Sequence, residues 1–110
     1  MAIYELRTYH AHEGKLDAVV ARFRDHTVAL FDRHNLKSVA YWVPQDEPLS
    51  ASQLIYILEH PNRQEAEKNW AAFIADADWQ KVKAESEVNG PLVTKIDRLY
   101  MNPTDFSLLK

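Results

Sequence analysis

The sequence predicts an α+β fold in which two helices pack on a four-stranded antiparallel sheet, in the order β-α-β-β-α-β. Three observations predict it. Four stretches either alternate with the two-residue rhythm of strands or run apolar on both faces, at residues 2–9, 38–43, 53–59 and 93–101. Two stretches with the three-four spacing of helices, 15–34 and from 62 onward, follow the first and third of these. Only a loop rich in turn formers, residues 44–52, separates the two middle strands. That order is the ferredoxin-like split βαβ unit, with its first and third strands central and its helices on one face. At 110 residues the chain is expected to form a single domain, 1–110.

The first strand sets Tyr4, Leu6 and Thr8 against Ile3, Glu5, Arg7 and Tyr9, and residues 10–14 make a turn. The first helix has one apolar face made by Leu16, Val19, Val20, Phe23, Thr27, Leu30, Phe31 and His34. Asp17 suits the positive end of its dipole, and Asn35 is the residue to stop it in a left-handed conformation. In the second strand Val39, Tyr41 and Val43 lie opposite Ala40 and Trp42. The third is apolar on both faces, Leu54, Tyr56 and Leu58 against Ile55 and Ile57, and reads as central; His60-Pro61 ends it. Asn62, with Glu65 three residues on, opens the second helix, whose buried face is expected to be Ala66, Trp70, Phe73, Ile74 and Ala77. Asp76 caps a short third helix carrying Trp79 and Val82, which Asn89-Gly90-Pro91 stops. The tail beyond residue 101 shows no period.

Composition narrows the function classes. The chain has no cysteine, which excludes disulfides, thiolate metal sites and a cysteine nucleophile and suits a cytoplasmic location. A net charge of −3 argues against nucleic acid, which calls for a concentrated basic face. No apolar run approaches the ~20 residues that span a bilayer, and no signal peptide precedes the first strand.

Two helices cover only one face of such a sheet. The other is expected to carry Ile3, Glu5, Arg7 and Tyr9 from the first strand, with either Ile55 and Ile57 or Leu54, Tyr56 and Leu58 from the third. An apolar face of this size marks an interface, and a second copy stacked on it would close a two-subunit α/β barrel. Glu5 and Arg7 would then lie in the barrel interior, where Arg7 needs a carboxylate from Glu5 or Asp97.

Tyr4-Glu5-Leu6-Arg7-Thr8-Tyr9 followed by Glu13-Gly14-Lys15-Leu16 resembles the opening of NIPSNAP domains. Arg33-His34-Asn35 resembles their helix end, Val39-Ala40-Tyr41-Trp42 their second strand, Asp76-Ala77-Asp78-Trp79-Gln80 their Asp-Pro-Glu-Trp-Gln segment, and Phe106-Ser107 their terminal Phe-Ser. The chain departs from that pattern at Asn35, Pro48, Ser52 and Ala77. The resemblance implies a dimeric α/β barrel and a family whose biochemical activity is poorly defined.

Several catalytic signatures are absent. The only glycines are Gly14 and Gly90, so there is no phosphate-cradling loop, and no serine sits in a nucleophile elbow. His10 and His12 share a strand face but have no third ligand nearby, so no metal or other cofactor is expected. His26 falls at the edge of the helical stripe, where it would look into a cleft between helix and sheet. With Tyr4, Trp42, Tyr56 and Trp79 it makes up the candidate ligand cleft, placed against the first helix and reached past loop 44–52. The expected function is binding of a small organic ligand or partner. The alternatives are a cofactor-independent monooxygenase or isomerase using Arg7, His26 and a tyrosine, and haem binding through a histidine.

Overall fold

In the computed structural model, which describes residues 2–110, strands β1 (Ile3–Ala11), β2 (Lys37–Trp42), β3 (Gln53–His60) and β4 (Val93–Met101) form one sheet. Their order is β2-β3-β1-β4 and every neighbouring pair is antiparallel, so the first and third strands are central, as predicted. β1 runs past its predicted end at Tyr9, because the Ala11 N–H bonds Ser52 O at 2.8 Å and His10 pairs with both Gln53 and Lys95.

The first helix is continuous but not uniform. Helix α1 (Leu16–Arg22) passes into a π segment (Phe23–Thr27) and then into α2 (Val28–Arg33). The Val28 N–H reaches back to Phe23 O across the wide turn, and Thr27 Oγ1 donates to the Arg22 carbonyl at 3.2 Å. Asn35 stops the helix at φ 60°, and the Leu36 N–H closes onto Phe31 O at 2.9 Å.

Asn62 accepts the Glu65 N–H at 2.8 Å and opens α3 (Arg63–Ala75); Asp76 accepts the Asp78 N–H at 2.8 Å and opens α4 (Ala77–Ser86). The face that α3 buries is Ala66, Asn69 and Phe73; Ile74, at 60 % exposure, and Ala77 lie outside it, contrary to expectation. α4 has no fully buried residue. Its start is tied to the end of α2, with Arg33 Nη1 2.9 Å from Asp78 Oδ2 and 3.0 Å from Asp76 Oδ2, and His34 Nε2 2.6 Å from Asp76 Oδ2. At its end, buried Arg22 donates to Ser86 Oγ at 3.1 Å and, one residue on, to Glu87 Oε2 at 2.9 Å.

Between the first helix and the sheet the core is solid. Tyr56, fully buried, has the rings of Tyr41, Phe23, Tyr9 and Phe31 at 5.1, 5.3, 5.5 and 5.9 Å, and the Phe31 ring meets those of Phe73 and Trp70 at 5.0 and 5.4 Å. The register places Glu5, Arg7 and Tyr9 on this helix-covered face with Leu58, Tyr56 and Leu54. Tyr4, Leu6 and Thr8 therefore take the outward face with Ile55, Ile57, Ala40, Trp42, Leu99 and Met101. The assignment of Glu5 and Arg7 to the uncovered face, and hence to a barrel interior, is thus reversed. Alternation in the sequence splits β1 into two sets but carries no information on which set the helices cover. No helix among the described residues is long and apolar enough to cross a membrane.

Candidate functional site

One large cleft, about 870 Å³, opens between the α3–α4 pair and the β1–β4 edge of the sheet. Two periodicities build it. On the sheet wall, Glu5, Arg7 and Tyr9 of β1 stand beside Tyr100, Arg98 and Ile96 of β4, every second residue of each strand. On the helix wall, Arg63, Glu67, Trp70, Ala71 and Ile74 follow the three-four spacing of one face of α3, and Trp79, Gln80 and Lys83 continue it from α4. Phe73 supplies the floor behind Trp79, the two rings 4.7 Å apart. Flat apolar surface thus lines the space, with charge at its back and rim.

At the back, Glu5 is completely buried and is held by three donors. His60 Nε2 and Trp70 Nε1 each lie 2.8 Å from its Oε1, and Arg7 Nη1 lies 3.0 Å from its Oε2. Burial alone would raise this carboxyl; the hydrogen bonds from His60 and Trp70 and the Arg7 charge outweigh it and hold the pKa below 4.5. Because an ionised carboxylate can only accept, His60 must donate from Nε2, and its buried Nδ1 has no partner. The Arg7 guanidinium lies over the Trp70 ring, 4.0 Å from its centroid. Burial opposes its charge, but the Tyr56 and Tyr9 oxygens and Glu5 more than compensate, and it stays cationic. Burial first, then Tyr9, pushes the Tyr56 hydroxyl well up; it stays protonated and donates to Tyr9 Oη at 3.1 Å, leaving the Tyr9 proton for another acceptor.

The sequence-derived candidates separate in the structure. Glu5, Arg7 and Trp79 meet in the cleft. Tyr56 lies behind Tyr9 in the solid core and does not line it. Tyr4 and Trp42 stand on the outward face of the sheet. His26 is exposed on the outer side of the first helix, beside a shallow depression between α1 and α4. The π turn accounts for this: each residue in it advances through a smaller angle than in an α-turn, which carries His26 away from the Phe23 stripe. Asp97, paired in register with Thr8, faces outward and bonds His10 at 2.8 Å, so Glu5 of the same chain is the carboxylate that holds Arg7. The first-helix side has no cleft because the aromatic rings fill it.

Sequence reasoning missed Tyr9, His60, Trp70, Arg98 and Tyr100 as members of the site. His60 continues the alternation of Leu54, Tyr56 and Leu58, a signal obscured by Pro61 beside it. The β4 residues are legible only once the strand is registered against β1.

A helix-covered antiparallel sheet with a charged, aromatic cleft along one edge defines a ferredoxin-like α+β protein. More narrowly, the NIPSNAP family model matches residues 4–108, and the chain belongs to that family. It is similar to a NIPSNAP family protein from Agrobacterium tumefaciens of known structure, with a TM-score of 0.86 and 24% identity over 100% of both chains. A NIPSNAP-like domain protein from Burkholderia xenovorans has a TM-score of 0.81 and 18% identity over 96% of this chain and 88% of that one. SnoaB, a cofactor-independent oxygenase from Streptomyces nogalater, has a TM-score of 0.60 and 11% identity over 99% and 98%. No curated protein matches the chain.

Proposed function

We propose that this NIPSNAP-family protein binds a small organic molecule with a flat apolar body in the cleft between α3–α4 and the β1–β4 edge. The observation that carries the reading is the cleft itself. Its walls present Trp70, Trp79, Ile74, Ile96 and Tyr100, and no side chain among the described residues fills the space between them. A pocket of several hundred Å³ with apolar walls and few polar groups is the usual form of a small-molecule site. Isothermal titration with 2-naphthamide, a flat uncharged probe, tests it. Saturable binding is expected, weakened about tenfold in Ile74→Glu, where a charge replaces apolar contact on an exposed position. No saturable heat, or an unchanged affinity in Ile74→Glu, would overturn the reading.

A cofactor-independent oxygenase or isomerase is the second reading, supported by the fold likeness to SnoaB and by Arg7 and the Tyr9 hydroxyl standing in one cleft. It keeps Arg7 and loses His26. This cleft offers haem no ligand, since no histidine among the described residues lines it and His60 is sealed behind Glu5. The proposed partner is a second copy of the chain on the outward sheet face, and the proposed location is the cytoplasm.

A further inference from the structure

We infer that the ligand of this cleft is an organic acid whose carboxylate bridges Arg7 and Arg98; the inference rests on the cleft reading and names the ligand class. Two independent observations point to an anion. Arg7 and Arg98 stand directly opposite each other in the β1–β4 ladder, on the same face, and like charges in that position repel. Glu5 offsets the Arg7 charge, but Arg98 is exposed and has no carboxylate partner among the described residues, so the second charge of the pair is left without one. Arg7 lines the cleft and makes a single side-chain hydrogen bond, from Nη1 to Glu5, so its Nη2 has donors left for an acceptor in the cleft.

The wider charge balance agrees. Four basic residues line the cleft against two acidic ones, in a chain whose net charge is −3. Glu67 is shared with Arg63 at 3.4 Å, and Glu5 is enclosed by its three donors. The excess positive charge therefore lies with Arg98 and Lys83. Stacking on Trp70 fixes the plane of the Arg7 guanidinium, and a planar carboxylate matches its parallel donors. With the acid group between the arginines, the flat body falls against Trp79 and Ile74.

Paired titrations of 2-naphthoate and 2-naphthamide into the full chain test the inference. The acid is expected to bind about tenfold or more tighter than the amide, with the difference shrinking as salt rises. Arg98→Gln should weaken the acid far more than the amide and bring the two affinities close together. In the absence of ligand that variant should melt at or above the parent temperature, because the repulsion is gone. Equal binding of acid and amide, or an acid preference that survives Arg98→Gln, overturns the carboxylate assignment while leaving the cleft reading intact. Binding of neither probe overturns both.

Discussion

Glu5 is a fully buried carboxylate whose lone pairs take donors from a strand, a neighbouring strand and a helix: Arg7, His60 and Trp70. Removing one member of such a cluster leaves the others desolvated and unpaired, at a cost of about 3–5 kcal/mol. Glu5→Ala and Arg7→Ala should each lower stability on that scale, and the double variant should cost clearly less than the sum. Chemical denaturation measures all three; strictly additive losses would show that the groups are independently solvated. The pKa of Glu5 is lowered on folding, so its contribution is full above pH 4.5 and fades as pH falls through the lower folded value. The sequence made the pair legible, because a glutamate and an arginine two apart on a strand must share a face. It could not show which face, since both sets of β1 side chains are half apolar. A charged pair suggests the less covered side; three well-placed donors reverse that preference.

Helix α4 forms one wall of the cleft without burying a whole residue, and polar anchors to the first helix hold both its ends. The anchors at its start join two segments by which the sequence resembles its family, Arg33-His34-Asn35 and Asp76-Ala77-Asp78-Trp79-Gln80. Their capping and stop signals were readable along the chain, but their contact was not, because it depends on the tertiary packing of α2 beside α4. The π segment was equally hidden, since Phe23, Thr27, Leu30 and Phe31 also satisfy an ordinary helical stripe. The His34 hydrogen bond, with the Asp78 N–H and Arg33, holds the Asp76 carboxyl down at about 2 against 3.8 in the unfolded chain. Its folded pKa is depressed, so the stabilisation is present above pH 3.8 and is lost as pH falls toward about 2. Asp76→Asn should melt lower than the parent near neutral pH, and the two melting curves should converge across that acid window. Curves that stay parallel would show that Asp76 does not couple α4 to the rest of the chain.

At the scale of the whole molecule, the reversed face of β1 changes the case for assembly. With Glu5 and Arg7 turned inward, the outward face presents Leu6, Ile55, Ile57, Leu99 and Trp42, with Lys37, Glu59 and Lys95 toward the strand ends and Asp97 midway along the edge strand β4. Leu99 is 55 % exposed and Trp42 49 %, both on the face opposite the helices, where Tyr4 at the start of β1 is the buried exception. A contiguous apolar face rimmed by charge marks an association surface, and a self-complementary patch pairs about a two-fold axis. The mid-strand charge on this face is Asp97 of β4, which His10 already holds at 2.8 Å, whereas the buried Glu5–Arg7 pair lies on the other face. Light scattering on eluting protein should give about twice the monomer mass of 12.8 kDa. Leu99→Glu places a charge opposite Leu6 at the centre of the patch, on a side chain already more than half exposed. That variant should elute as a monomer with its far-ultraviolet circular dichroism unchanged, because the cost falls on the interface and not on the fold. A parent chain that is monomeric at micromolar concentration, or a Leu99→Glu variant that remains a dimer, would show that this face is not what the second copy covers.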